Sequence, residues 1–152
     1  MSIKITPEIQ SYWNTFIQEK EHFHLEKYQF EAWSFGNTKE MADELGQLVI
    51  EGKKTATCSL LRAYEGYENE IPQVGVYSIL CDGSEKPLCI VMNTHTWICK
   101  YNEVDERQAY EEGEGDRTLE YWRKAHQEFF SNYEGFHEED LLICERFYIA
   151  FK

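Results

Sequence analysis

The feature that most constrains this chain is a turn. Asp82-Gly83-Ser84 separates two runs rich in apolar and β-branched residues, Gly75 to Cys81 and roughly Pro87 to Tyr101. These turn residues let the backbone reverse in a few positions, so the two runs are expected to pair as an antiparallel hairpin. The second run is long enough to bend. Thr55 to Leu61 reads as another strand, and the chain closes on one near Leu142 to Phe151.

Helical signals flank these strands. Thr6 can cap a first helix whose Pro7 sacrifices no hydrogen bond, and Ile9, Tyr12, Trp13, Phe16 and Ile17 recur at helical spacing. That stripe could pack on its own domain or on a second subunit, so a homodimer stays open. A second helix is expected from Thr38, with Met41, Ala42, Leu45, Leu48 and Val49 inward and Gly52 beyond its end. Phe30 to Phe35 reads as an aromatic link, and Asn102 to Glu120 as an acidic loop with eight acids and two bases. A third helix follows from about Thr118, carrying Leu119, Trp122, His126 and Phe129 or Phe130 along one side. Helices at both ends with non-adjacent strands between imply an α+β domain around a small mixed or antiparallel β-barrel. A chain of 152 residues with 4 Trp, 10 Tyr and 9 Phe has enough packable surface for one core and is not disordered.

Charge narrows the partners. Fifteen Lys and Arg against 28 Asp and Glu leave a net charge of -13, which argues against a broad surface for a phosphate backbone. No run approaches the roughly 18 apolar residues of a membrane span. The N-terminus lacks a leader pattern, and a cytoplasmic protein without a membrane partner is expected. Cys58, Cys81, Cys89, Cys99 and Cys144 are odd in number and fall largely in strand-like runs, so they read as buried thiols.

Several short motifs fail on inspection. Gly52-Lys53-Lys54-Thr55 imitates the end of a phosphate-binding loop, but Gln47 stands where its first glycine belongs and a helix precedes it. Glu112-Gly113-Glu114-Gly115-Asp116 contains a GxG without a strand leading into it, and its acids match no calcium loop. His22 and His24 have no third partner at a zinc spacing. Neither a metal nor a cofactor is expected. His126, one turn past Trp122, reads equally as a satisfied helix histidine or as part of a cleft.

Longer blocks carry more. Ala32-Trp33-Ser34-Phe35-Gly36, the stretch from Leu48 to Thr57, the Pro72 to Gly75 turn and the stretch from Glu112 to His126 together resemble the ASCH family, in its larger bacterial type. The resemblance runs from about Phe30 to the C-terminus. It implies a PUA-like fold, a small β-barrel with flanking helices over residues 30–152; residues 1–29 lie outside the resemblance and are expected to form a helical extension packed on the domain. It also implies action on RNA, a single nucleotide or a modified nucleoside, since the family includes RNA-binding modules, ribonucleases and 4-acetylcytidine amidohydrolases. In the amidohydrolases, catalysis uses a lysine and a threonine of a G-x-K-x-x-T motif and a glutamate from a later acidic segment. Gly52, Lys54 and Thr57 match that motif, and both Glu112 and Glu114 fall in the acidic segment.

The expected chemistry is hydrolysis of a nucleoside amide or an RNA phosphodiester. Lys54 would act as base, Thr57 as nucleophile or orienting hydroxyl, and Glu114 or Glu112 would assist proton transfer. Trp33, Phe35, Lys53, Arg117, Arg123 and His126 would bind the substrate, the aromatics by stacking. The alternative is a nucleotide-binding module without turnover. One geometric condition applies: residues three apart in a straight strand face opposite ways, so Lys54 and Thr57 can meet only if the chain turns after Gly52.

Overall fold

The computed structural model describes residues 2–25 and 30–152. Helix α1 (Pro7–Glu19) begins where Thr6 Oγ1 accepts from Ile9 N at 3.2 Å. Its stripe of Ile9, Trp13, Phe16 and Ile17 is buried against Ile79, Cys81 and Ile90 of the same chain, and Trp13 stacks on Phe30 at 4.4 Å. The apolar face is therefore consumed within the protomer.

Strand β1 (Glu31–Trp33) leads to helix α2 (Lys39–Ile50), capped by Thr38 Oγ1 on Met41 N. Strands β2 (Ala56–Leu60), β3 (Tyr77–Cys81) and β4 (Pro87–Lys100) follow, then helices α3 (Glu106–Glu112) and α4 (Leu119–Phe130), and strand β5 (Leu141–Phe151). The sheet runs β1-β3-β4-β5-β2 and curls into a half-barrel. Among the described residues, only the β1–β3 pair is parallel; β3–β4, β4–β5 and β2–β5 are antiparallel.

The expected hairpin forms, with Asp82 Oδ1 accepting from Ser84 N at 2.8 Å and Lys86 N at 3.0 Å. The register of β4 against β5 slips between Ile90 and Val91 and again between Asn93 and His95, and such irregularities bend a strand. The mixed α+β barrel architecture is thus as expected, with two corrections. The aromatic link contains β1, because Glu31, Ala32 and Trp33 pair with Ser78, Ile79 and Leu80 of the distant β3. The acidic loop contains α3, because Asp105 Oδ1 caps Gln108 N at 2.9 Å and Gly113, at φ 75°, closes the helix in the left-handed region.

Candidate functional site

The Gly52 turn and the end of α3 are tied together through the main chain. Gly52, at φ 78°, ends α2, and the amides of Lys53 and Lys54 both donate back to Leu48 O at 3.0 and 3.1 Å. Thr55 N then donates to Glu111 O at 2.8 Å. Gly113 lies so near this segment that a Cβ there would sit 2.3 Å from Lys53 O, so no side chain fits. The chain thus turns before β2 begins at Ala56, which meets the geometric condition on Lys54 and Thr57.

Lys54 enters the interior at this turn with a side chain only 1% exposed. Its Nζ lies 3.1 Å from Glu114 Oε2, 3.6 Å from Glu112 Oε1 and 3.4 Å from Glu112 O, and faces the Phe35 ring at 5.1 Å. Burial by itself would pull the ammonium pKa down, but the Glu114 and Glu112 carboxylates outweigh it and hold the value above the ordinary one. Lys54 is a fixed cation.

Glu112 is the centre of this network. Its Oε2 accepts from Trp122 Nε1 at 2.7 Å and Gln108 Nε2 at 3.1 Å. Its Oε1 has no hydrogen bond of good geometry and instead faces Lys54 Nζ and, at 3.4 Å, His126 Nε2. The opposite ring nitrogen, His126 Nδ1, lies 2.9 Å from Trp122 O. A carbonyl only accepts, so that nitrogen carries a hydrogen, and a second proton on Nε2 makes the contact with Glu112 charge-assisted. Burial would depress the His126 pKa, but the Glu112 carboxylate raises it above its ordinary value. Burial would likewise raise Glu112, but His126 and Lys54 bring it down to about 2. The imidazole also stacks on Trp122 at 4.1 Å, which fixes its plane.

These groups border a cavity of about 1280 Å³ that also takes in Thr57, Trp33 and Phe35. Thr57 pairs directly with Glu145 across β2 and β5. Opposed residues share a face of the sheet, with Cβ atoms about 4.5–5.5 Å apart, and both of these line the cavity. Asn93 Nδ2 donates to Glu145 Oε1 at 3.0 Å. Burial raises the Glu145 carboxyl to about 7, against the opposing effects of the Asn93 hydrogen bond and the Lys54 charge. The Ser59 and Tyr64 hydroxyls meet at 2.9 Å on the same wall.

Of the residues expected at the site, Lys54, Thr57, Glu112, Glu114, Trp33, Phe35 and His126 border this cavity. Trp33 and Phe35 meet edge to face at 4.9 Å. Lys53, Arg117 and Arg123 lie elsewhere. Lys53 pairs with Glu51 at the surface. Arg117 covers the Tyr110 ring and donates to Tyr110 O at 2.9 Å and Lys53 O at 3.2 Å. Arg123 donates to the carbonyls of Tyr101, Asn102 and Val104. Arg117 thus ties the end of α3 to the Gly52 turn, and Arg123 holds the backbone between β4 and α3. Asn93 and Glu145 were not expected; the visible signal was an acid inside the apolar run Leu142 to Phe151.

A metal would find one cluster of donors among the described residues, Cys58, Glu112 and His126, whose ligand atoms lie within 4.8 Å of one another. Burial pushes the Cys58 thiol well above its usual range, and Lys54 and His126 already oppose the Glu112 charge. The cluster is balanced without an ion. The site as built can hold a flat ligand against aromatic rings, place an ammonium beside a developing negative oxygen, and offer a carboxyl that titrates near neutrality.

No helix among the described residues is long and apolar enough to cross a membrane. The chain matches no curated protein sequence. Among solved structures, it is similar to an ASCH domain from Lactobacillus crispatus JV V101, with 32% identity, a TM-score of 0.89 and 97% of each chain covered. It is also similar to a protein from Enterococcus faecalis V583, with 35% identity, a TM-score of 0.82 and 95% of this chain and 93% of that one covered. A hypothetical protein of 15% identity and TM-score 0.54, matched over 78% of this chain and 98% of its own, shares the fold alone. The model of the ASCH domain matches residues 31–150, and the chain belongs to that family.

Proposed function

We propose that this ASCH domain hydrolyses the amide of a small, uncharged acylated nucleoside, of the acetylcytidine type. The observation that carries this reading is the buried Lys54 ammonium, set between Glu114 and Glu112 on the wall of a cavity that also holds Thr57. A fixed cation in a dry wall stabilises the oxygen of a tetrahedral intermediate more than it stabilises a neutral carbonyl, and that difference lowers the barrier. This assigns Lys54 an electrostatic role, because an ammonium held by two carboxylates is a poor proton acceptor.

The electrostatics favour a ligand without phosphate. Seven glutamates line the cavity, among them Glu44, Glu112, Glu114, Glu128 and Glu145, against Lys54 and His126. Both of those cations are engaged by carboxylates. Trp33 and the other aromatic walls suit the face of a base.

The test is release of cytidine from 4-acetylcytidine, followed by absorbance, with its 5′-phosphate and a short acetylated RNA as competitors for the same site. Turnover should be fastest on the nucleoside, and Lys54→Met should lower kcat by about 10²–10³, the scale for loss of one oxyanion-stabilising donor. Saturable binding of RNA at low salt, without turnover of any of the three, would instead support a binding module.

A further inference from the structure

Of the two buried glutamates at the cavity, Glu112 contacts Lys54 directly and Glu145 does not. Glu145 is 7% exposed, stands directly across the sheet from Thr57, and has one oxygen engaged by Asn93. The charged and titratable groups acting on it come from every side. They are Lys54 from the Gly52 turn, Glu112 from α3, Glu31 from β1, Tyr64 after β2, and Cys144 beside it on β5. Lys54 favours the ionised carboxyl, Glu112 and Glu31 oppose it, and burial is the largest influence. A base must be free of its proton and basic enough to take one up. Lys54 does not meet the first condition, and Glu112 is held too acidic to meet the second.

We propose that Glu145 is the general base of the cavity, taking a proton from the water that attacks the substrate amide, with the Thr57 hydroxyl holding that water. Asn93 is the positioning residue. The assignment rests on the amide-hydrolysis reading above. As the water oxygen bonds to the carbonyl carbon, its O–H bond breaks and the proton passes to the Glu145 carboxylate. The carbonyl π pair moves onto oxygen, beside the Lys54 ammonium. When the C=O bond re-forms, the C–N bond breaks and the leaving nitrogen takes the proton from Glu145. Water and amide become carboxylic acid and amine, and nothing is oxidised or reduced.

The experiment uses the full chain with 4-acetylcytidine across a pH series. The parent should show kcat/KM rising with pH through a limb near 7, as the carboxyl ionises. Glu145→Gln should lower kcat by at least about 100-fold, the scale of a positioned base, with little change in KM and loss of that limb. Glu145→Asp should retain part of the turnover and a limb. Asn93→Ala removes a hydrogen bond that favours the charged form, so the limb should move to higher pH; a merely structural Asn93 would change the rate without moving it. An active parent whose Glu145→Gln variant keeps both kcat and limb overturns the assignment alone, as does a limb unmoved in Asn93→Ala. A parent inactive on 4-acetylcytidine and its acetylated derivatives overturns the amide-hydrolysis reading and the assignment with it.

Discussion

Glu145→Gln also measures what the buried carboxyl costs the fold. Burial lifts Glu145 from an ordinary 4.5 to about 7. Because the folded-state value is the higher one, folding favours the protonated carboxyl. The stability tied to it is complete below pH 4.5 and is lost as pH rises through about 7. At about 1.4 kcal/mol per pH unit, the interval amounts to roughly 3 kcal/mol. Glutamine keeps the shape of the side chain and the Oε1 acceptor for Asn93 Nδ2, but has no proton to lose. The variant should therefore resemble the parent at pH 4.5 and exceed it at pH 9 by roughly 3 kcal/mol, or about 6–12 °C in Tm for a chain of this size. Urea unfolding and calorimetry at the two pH values provide the comparison. An equal effect at both, or a variant less stable than the parent at pH 9, would refute the reasoning.

Two further substitutions probe the site's frame. Glu112→Gln takes from the Lys54 ammonium one of its two carboxylates and from His126 the charge that holds its pKa up, so burial should drive the imidazole neutral; the change should cost about 3–5 kcal/mol, as when one partner of a buried pair is removed. A loss below about 1 kcal/mol in urea unfolding at pH 7 would show that the network carries little energy. Gly113→Ala combines a strained φ of 75° with a Cβ 2.3 Å from Lys53 O, whereas Gly135→Ala has a similar φ of 72° and nothing within 4 Å. Both should pay about 1–3 kcal/mol for the backbone. Only Gly113→Ala should lose more than that in thermal melts, and identical losses would mean the close approach is unimportant.

Much of the fold was legible because its signals are local. Thr6-Pro7 and Thr38 start helices, Gly52 ends one, and Asp82-Gly83-Ser84 folds a hairpin, each through chemistry within a few residues. β1 was hidden because three residues hold no periodicity, and its identity comes from a parallel partner more than forty positions away. α3 was masked by its acids, although Asp105 with Gln108 three residues on, and Gly113 at the end, were readable as caps. At the site, Lys54, Glu112 and Glu114 were found by family pattern, but the state of the lysine was not. Whether a buried lysine gains or loses its proton depends on which carboxylates the fold delivers to it, here from about sixty residues away. Glu145 shows the same dependence: in sequence it is one acid in a strand, and only burial by the folded chain lifts its carboxyl, with Asn93 and Thr57 brought beside it from two other strands.

The main-chain lacing between the Gly52 turn and α3 bears on how relatives of this chain should be compared. Lys53 meets Arg117 and Gly113 through its carbonyl, and Thr55 and Glu111 join through amide and carbonyl. Those bonds are indifferent to which side chain stands at position 53, so identity there is free to drift while the geometry around Lys54 persists. An inserted or deleted residue acts differently. Between Gly52 and Thr57, or between Glu111 and Glu114, it would slip the hydrogen-bonding register and carry the ammonium out of line with its carboxylates. In this region, the count of residues between landmarks is a better guide to a shared site than the residues themselves.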